Sequence, residues 1–490
     1  MRTHPSPLAP RHLLSFDSDS TLDVGHRFAA LIADYFARAA RGEGAVSSPL
    51  DAGALDAMFD EPLPARGRPV EDVVARLRDQ VVAHANRLSH PMYIGHQVSA
   101  PLPVAVWTDA LVAALNQSIA VSEMSPSLTA VEGRVIRWMC ELAGLGPASG
   151  GTFTSGGTEA TFSALLAARA AVLPDAWTRG VGSDAPPVVL CGEHTHYAVA
   201  RAVGQLGIGT DSLVLVPSRE WRMDVDALAR ELDRLATEGR RVMAVVATAG
   251  STATGSFDDL DAVADLCERH GAWMHVDAAH GGSALLSARH RHHLRGLERA
   301  RSLAWDPHKM MLLPLAAGVL LVRNERDLEA AFAQRAPYLF HGGEEERVRD
   351  QGVRSFQCSR RADAMKAWVA LQRHGAEGIG EIHDHLCDVA AELHAEIGRR
   401  AEFEALHAPE SNILCFRWIG DGSRTDDELD IVNRELREAY NRSGQGWITT
   451  TVLGGRRVLR VTVMNPRTTT PHALAMLDGI AALGRTFRRR

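Results

Sequence analysis

Short apolar runs alternate with helical patterns through the middle of the chain, and this alternation constrains the fold more than any other feature. The runs typical of strands cover residues 188–191, 213–216, 242–247, 273–276, 302–305 and 317–322. Apolar strands joined by helices indicate βαβ units, which form a mostly parallel sheet with helices on both faces. The sequence therefore predicts an α/β fold, in which ligands bind beyond the carboxyl ends of the strands.

The two ends of the chain carry other patterns. Before about residue 100 the chain is mainly helical in pattern, with amphipathic helices predicted over residues 22–40 and 69–88. After about residue 375 we expect a helix, a strand, a helix, two strands and a last helix. The first of these strands is predicted over residues 412–418, the helix that follows it over 426–440, and the last two strands over 447–452 and 458–464. This order is typical of a smaller α/β or α+β domain.

Composition excludes several classes of protein. The 490 residues carry a formal charge of −7 and lack the basic stripe that nucleic-acid binding needs. No apolar stretch is long enough to cross a membrane, and the N-terminus lacks the apolar region of a signal peptide. The six cysteines form no Cys-x-x-Cys pair, which indicates free thiols in a reducing compartment. We expect a cytoplasmic protein that binds a small molecule rather than nucleic acid or membrane.

Charged and small side chains follow the predicted strands at three places. Residues 150–160 (GGTFTSGGTEA) join a glycine-rich turn to a helix, where backbone N–H groups and the Thr158 hydroxyl can hold a phosphate. A turn without a ligand is the alternative there. In WMHVDAAHGG an apolar strand ends at Asp277, which either pairs with a cation or caps the next segment. In DPHK the polar run ends at Lys309.

Lysine is rare in this sequence. The chain has two lysines, Lys309 and Lys366, and uses arginine elsewhere. A lysine retained directly after a strand favours an amine that loses its proton and forms a Schiff base, although a surface lysine is the alternative. A phosphate-binding turn, a carboxylate for a pyridinium nitrogen and a Schiff-base lysine on one parallel sheet are the requirements for pyridoxal 5′-phosphate (PLP).

From about residue 85 to 470 the chain resembles the group II PLP-dependent amino-acid decarboxylases, through TSGGTEA, HVDAAHGG and DPHK in that order. These include the glutamate, cysteine-sulfinate, diaminobutyrate and aromatic amino-acid decarboxylases. The resemblance implies fold type I, with a helical N-terminal segment that acts as a dimerisation arm (1–100), a large PLP-binding domain (101–375) and a small C-terminal domain (376–490). It also implies a homodimer with active sites at the subunit interface.

The resemblance assigns roles at the cofactor. Lys309 would carry the Schiff base, Asp277 would face the ring nitrogen, and His196 would stack on the ring. From the residues alone, His194 is an equal candidate for that imidazole. The whole expected cofactor-binding set is Gly157, Thr158, His196, Thr252, Asp277, Ala279, His308 and Lys309. We do not expect the Asp306 side chain to contact the phosphate, because a carboxylate repels it.

The type of reaction depends on Tyr338, in the segment APYLFHGGEEE. The resemblance places this tyrosine on a mobile loop that reaches an active site, where it would deliver a proton to Cα after carbon dioxide leaves, together with His308. In the family, phenylalanine at this place accompanies oxidative deamination, so tyrosine favours plain decarboxylation to an amine. An aromatic residue that packs a loop is the alternative.

The substrate residues are predicted by resemblance alone. Tyr93, His96 and Gln97 lie in a segment similar to one that lines the substrate pocket of the family, and Arg460 lies where glutamate-type relatives hold the α-carboxylate. A structural ion pair is the alternative for Arg460. Residues 357–361 and the Arg460 region favour the glutamate, sulfinate and diaminobutyrate branch.

Other functions share this cofactor chemistry. They are an aromatic-L-amino-acid decarboxylase, an aminotransferase or a lyase; a catalytically inactive scaffold is disfavoured because Lys309, Asp277 and Tyr338 are all present. The histidine-rich run at residues 290–293 is interpreted as a solvated loop, and we expect no metal site.

Overall fold

The computed structural model describes residues 18–182, 185–332, 336, 339–340 and 349–487. The helices, in chain order, are α1 (Ser18–Ala40), α2 (Ala52–Phe59), α3 (Val70–Arg76), α4 (Pro103–Leu115), α5 (Pro126–Leu142), α6 (Gly157–Val172), α7 (Ala176–Arg179), α8 (Ala198–Gln205), α9 (Val225–Thr237), α10 (Leu260–His270), α11 (Arg326–Ala331), α12 (Ala364–Ile397), α13 (Asp426–Arg442) and α14 (Thr470–Gly484).

The strands belong to a large and a small sheet. In chain order they are β1 (Gly150–Thr154), β2 (Val188–Gly192), β3 (Leu213–Val216), β4 (Val242–Thr248), β5 (Trp273–Asp277), β6 (Ser302–Trp305), β7 (Gly318–Val322), β8 (Phe403–Ala405), β9 (Ile413–Trp418), β10 (Thr449–Leu453) and β11 (Arg456–Thr462). A separate short hairpin pairs Ser218–Arg219 with Arg222–Met223.

The large sheet has seven strands in the order β1-β7-β6-β5-β4-β2-β3. The pairs β3/β2, β2/β4, β4/β5 and β5/β6 are parallel, whereas β7 runs antiparallel to both of its neighbours. Every residue of β1, β2, β5 and β7 is buried. Burial along whole strands is typical of a sheet covered on both faces, and the predicted α/β class with a mostly parallel sheet is confirmed.

Helix α6 shows how sequence positions a helix on this sheet. Ala160 and Ala164 pack in one buried cluster with Ala304, Leu320 and Leu328. Small side chains let the helix approach the strands closely, and alanine loses no side-chain entropy when it is buried. The N-terminus of α6 is thereby fixed at the carboxyl end of β1, where the glycine-rich turn lies.

The small sheet is antiparallel, in the order β8-β9-β11-β10. It packs against α13 and α14, and α12 leads into it from the large sheet. Gly375 interrupts α12 with φ 69° and ψ 168°, a backbone conformation that glycine adopts without steric cost. The predicted division of the chain at residues 100 and 375 stays a prediction.

The predicted central strands are observed to within one or two residues at each end. The helix predicted over 69–88 was wrong at its end: α3 passes into a π-helical turn, Leu77–Val82, and the helix stops there. Periodicity gave no stop signal, since apolar residues continue at helical spacing to Leu88. Among the described residues, no helix has both the length and the apolar character needed to cross a membrane.

Candidate active site

Asp277 stands at the carboxyl end of β5, in the middle of the large sheet. Its partner on the adjacent strand β4 is Thr248, and only 8% of Asp277 is exposed. The backbone N–H of Ala279 donates to Asp277 Oδ1 at 3.1 Å. Because the chain turns directly after the strand, this buried carboxylate faces the space beyond the sheet edge and keeps an oxygen for a cationic partner.

Lys309 enters the same space from the adjacent strand. After β6 ends at Trp305, the backbone N–H of Asp306 donates to the Ala279 carbonyl at 3.1 Å, and that of Lys309 donates to the Asp306 carbonyl at 2.9 Å. The Lys309 Nζ lies 3.2 Å from Asp306 Oδ2. A tight turn therefore aims the amine at the edge where Asp277 lies.

A cavity of about 380 Å³ collects these groups. All eight residues predicted to bind the cofactor line it: Gly157, Thr158, His196, Thr252, Asp277, Ala279, His308 and Lys309. The structure thus brings these eight residues together from five separate segments of the sequence, as the alignment of strand ends in a parallel sheet requires.

The end of this cavity beside α6 is shaped for a phosphate. Helix α6 starts after Gly156, which offers no side-chain cap, so the first N–H groups of the helix keep their hydrogen-bonding capacity. A Cβ atom at Gly157 would lie 2.9 Å from the Ala279 Cβ and 3.2 Å from Asp306 Oδ2. At Gly250, whose φ is +86°, a Cβ would lie 2.7 Å from the Gly281 nitrogen. The two glycines therefore let these turns pack closely against the segments that carry Ala279 and Gly281.

The side chains at the other end of the cavity fit the aldehyde and the pyridine ring of PLP. An amine that can form an imine, a buried carboxylate for a ring nitrogen and an imidazole for the ring face converge here, as the cofactor requires. The residues present therefore fit PLP.

His196, and not His194, lies in the cavity. The His196 Nδ1 accepts the N–H of Ala198 at 3.2 Å. Burial lowers the pKa of His196, although the nearby Asp277 carboxylate opposes that shift. His194 instead tilts against Trp221 at a ring distance of 5.5 Å. A neutral imidazole at position 196 is suited to stacking on an aromatic ring.

Asp306 is more closely involved than the sequence indicated. Its Oδ2 lies 3.5 Å from His308 Nε2 as well as 3.2 Å from Lys309 Nζ, and its Oδ1 is buried without a hydrogen-bond partner among the described residues. The His308 Nδ1 accepts the N–H of Ala317 at 3.0 Å, and burial lowers the pKa of His308. Asp306 thus holds both the lysine and the histidine in place.

The residues predicted to bind substrate lie outside the lining of this cavity. Tyr93 is buried, with its ring stacked on Trp447 at 6.2 Å, and burial raises its pKa to about 12. His96 is exposed beside the same tryptophan. Gln97 keeps a buried Nε2 without a partner among the described residues. These three positions stay predictions.

Arg460, on β11, makes hydrogen bonds rather than the ion pair considered as its alternative. Its Nη2 donates to the Thr252 carbonyl at 2.5 Å and its Nε to the Ala253 carbonyl at 3.1 Å. In the described part of the chain no carboxylate lies within salt-bridge distance of it, and burial lowers its pKa. A buried cation beside the cavity loop is thus left without a counter-ion.

His280 is a site residue that the sequence reasoning missed. It lines the cavity, its Nε2 lies 2.7 Å from Asn412 Oδ1, and its Nδ1 is buried without a partner among the described residues. Burial lowers its pKa to about 3. The sequence signal that could have identified it is its position three residues after Asp277, in the motif HVDAAHGG.

Tyr338, the predicted proton donor, lies outside the described residues.

Comparisons with known proteins agree with this geometry. A family model described as the pyridoxal-dependent decarboxylase conserved domain matches residues 53–419. The chain is 36% identical to the L-2,4-diaminobutyrate decarboxylase of Rhizobium meliloti (strain 1021) over 437 residues, which cover 87% of this chain and 84% of that one. It is 33% identical to the cysteine sulfinic acid decarboxylase of Mus musculus over 387 residues, 78% of each chain.

A solved structure gives the same result for the fold. The crystal structure of mouse CSAD superposes with a TM-score of 0.91 at 29% identity, covering 96% of this chain and 100% of that one. The expected fold type I, the expected cofactor and the expected class of enzyme are confirmed. The chain belongs to the pyridoxal-dependent decarboxylase family, and it is an amino-acid decarboxylase that uses PLP.

Proposed function

We propose that this enzyme decarboxylates a small L-amino acid with a polar or charged side chain, of the glutamate, cysteine-sulfinate and diaminobutyrate group, to the corresponding amine. The observation that carries the proposal is the meeting of Lys309 and Asp277 in one cavity beside the uncapped start of α6. Similarity to a diaminobutyrate decarboxylase and a cysteine sulfinic acid decarboxylase supports the substrate group.

Each residue of the cavity has a distinct part in this proposal. Lys309 holds the cofactor covalently through Nζ, the start of α6 with Thr158 binds its phosphate, and Asp277 keeps a proton on its ring nitrogen. When bound, PLP supplies an electron sink for the electron pair left at Cα as carbon dioxide departs. His196 and Ala279 hold the ring plane from either side.

Substrate orientation falls to Arg460. The residue is 7% exposed, and its guanidinium donates to the carbonyls of Thr252 and Ala253 at the edge of the cavity. A cation fixed by two carbonyls keeps N–H groups for a carboxylate, and binding a carboxylate would supply the missing counter-charge. We assign the substrate α-carboxylate to this arginine, and side-chain contacts to Tyr93, His96 and Gln97.

Protonation at Cα is assigned to Tyr338, with His308 as the second proton carrier. His308 Nε2 faces Asp306 Oδ2 at 3.5 Å, close to Lys309, so it can pass a proton within the cavity. The tyrosine assignment is supported by its sequence context alone.

The same proposal includes a homodimer formed through the N-terminal helices. Helix α1 contacts α3, and both leave large apolar side chains in solvent: Leu22 is 60% exposed, Val73 40% and Phe28 38%. A second copy of the chain would cover these apolar faces. Six free cysteines, five of them buried, support a reducing cytoplasmic location.

A panel of substrates tests the proposed function. Purified holoenzyme is incubated with L-2,4-diaminobutyrate, L-cysteine sulfinate, L-glutamate, L-aspartate, L-tryptophan and L-tyrosine, and both carbon dioxide and amine are measured. We expect at least one of the first four amino acids to yield carbon dioxide and the amine without any added keto acid. Turnover confined to the aromatic pair, or dependent on a keto acid, would contradict the proposal.

A further inference from the structure

A histidine and cysteine cluster lies away from the active site, between the segment after β5 and helix α12. His290 comes from the loop between two 3₁₀ turns, Gly281–Leu286 and Arg291–Leu294. His383 and Cys387 lie one turn apart on α12, so they share a helix face. One nitrogen of each histidine and the Cys387 sulfur all lie within 4.8 Å of one another.

The spacing of these atoms suits a tetrahedral metal ion. His383 Nδ1 and Cys387 Sγ are 3.8 Å apart. Two such ligands on one zinc ion, at bond lengths of about 2.0 Å for nitrogen and about 2.3 Å for sulfur, would be separated by about 3.5 Å. The pair is therefore nearly in place, and a ligand atom of His290 lies within 4.8 Å of both.

A carboxylate lies beside the two histidines. Asp384 Oδ1 lies 3.7 Å from His383 Nδ1 and 3.9 Å from His290 Nε2. The Ser287 hydroxyl donates to the same oxygen and fixes its direction. The cation nearest the cluster, Arg289, is held by Asp388 at 2.6 Å and lies 4.0 Å from Asp384 Oδ2.

Within the described part of the chain, the His290 ring nitrogens make no hydrogen bond that would explain their position. Both of its ring nitrogens are buried and have no hydrogen-bond partner among the described residues. Buried ring nitrogens are nearly always satisfied in native proteins, by protein, water or a bound ion. The interpretation of residues 290–293 as a solvated loop is confirmed for Arg291 and His292, which are exposed, and is wrong for His290 and His293, which are partly buried.

We propose that His290, His383 and Cys387, with Asp384 as the fourth ligand, bind a divalent transition-metal ion of the zinc class. A thiolate with two imidazoles selects zinc or cobalt over magnesium and calcium, which prefer oxygen ligands. Binding replaces the thiol proton of Cys387, so one proton leaves for each ion bound. The ion joins the segment that carries Asp277 to helix α12, a structural role separate from decarboxylation.

Cobalt is the probe, because a cobalt–thiolate bond gives a charge-transfer band and tetrahedral cobalt absorbs in the red, beyond the absorption of PLP. The full-length holoenzyme without a histidine tag is titrated with Co²⁺. We expect one equivalent per chain, both bands, displacement by Zn²⁺ and no displacement by Mg²⁺. The spectra are taken as differences from the metal-free holoenzyme, because the charge-transfer band overlaps the absorption of PLP. Absence of the thiolate band from the difference spectrum of the unaltered enzyme overturns the proposal, whatever the variants do.

Matched variants identify the ligands. Cys387→Ser should remove the thiolate band, whereas Cys358→Ser, at the exposed cysteine, should keep it. His290→Gln should weaken Co²⁺ binding by more than about tenfold, because even outer-shell partners of a metal cost about 10- to 100-fold. His292→Gln, at the exposed neighbour, should leave the affinity unchanged. A band that survives Cys387→Ser in folded protein, or disappears in Cys358→Ser, also overturns the assignment.

Discussion

The Lys309 Nζ lies 3.2 Å from Asp306 Oδ2, three residues earlier on the same turn. A salt bridge explains why a cation is favoured at this position, yet it would serve an arginine equally well. The chain uses arginine at nearly every other basic position. The choice of lysine therefore points to covalent chemistry at the amine rather than to charge alone.

Replacing Lys309 by arginine separates these two roles. Lys309→Arg keeps a cation opposite Asp306 but removes the amine that can form an imine. We expect loss of the yellow colour and of amine production, with the same thermal midpoint as the unaltered cofactor-free enzyme. Borohydride should attach PLP to the unaltered chain at position 309 and to the variant at no position. Turnover retained in the variant would eliminate the proposed role of the amine.

Asp277 is expected to act through its negative charge. Asp277→Asn keeps a hydrogen-bond acceptor for the Ala279 N–H but removes that charge from the ring nitrogen. We expect kcat to fall by about 100-fold or more, a loss of the size seen when one preorganised electrostatic group is removed. PLP methylated at its ring nitrogen carries a permanent positive charge, so it should restore part of the activity to the variant. Equal activity of the variant with either cofactor would refute this account.

Tyr338 determines the predicted product. Tyr338→Phe removes the hydroxyl proton donor, so amine release should fall and part of the product should appear as aldehyde. Mass spectrometry of the products, with oxygen present and then excluded, measures the partition. Tyr197→Phe is a matched control, because Tyr197 also lines the cavity but has no assigned role in proton transfer. Unchanged amine output from Tyr338→Phe would remove its role.

The residues predicted at the cofactor lie together in one cavity because they come from strand ends. Asp277 and the Asp306–Lys309 turn follow apolar runs directly, and parallel strands bring their carboxyl ends to one edge. Local pattern and topology are therefore sufficient to place them together. His280 was missed because its significance depends on contact with Asn412, in a segment that joins the small sheet.

Contacts between distant segments could not be predicted. His290 meets His383 and Cys387 only because α12 packs on the segment after β5. The second lysine makes the same point: Lys366 is fully buried, with its Nζ 2.6 Å from the Ala316 carbonyl and 2.8 Å from Asp363 Oδ1. A rare lysine can be structural, and sequence alone separates it from Lys309 only through the DPHK motif.

Buried neutral histidines predict loss of stability in mild acid. Burial lowers the pKa of His275 to about 4 and that of His280 to about 3, against about 6.5 for the unfolded chain. Between pH 6.5 and 4 the unfolded state therefore binds protons that the native state does not bind. The free energy of unfolding falls as the pH falls for this reason. For His275 the full effect is on the order of 3 kcal/mol, reached near pH 4.

Thermal midpoints at pH 7 and pH 5 test this prediction, measured on borohydride-reduced holoenzyme so that cofactor release does not accompany unfolding. His275→Gln can keep a hydrogen bond to the Ser302 hydroxyl, which lies 2.8 Å from His275 Nδ1. The variant should have a lower thermal midpoint at pH 7 than the unaltered enzyme. Its midpoint should fall less between pH 7 and pH 5. His292→Gln, at an exposed site, should keep the original pH dependence. If His275→Gln loses as much as the unaltered enzyme, protonation of His275 does not drive the acid sensitivity, and the cause lies in other groups.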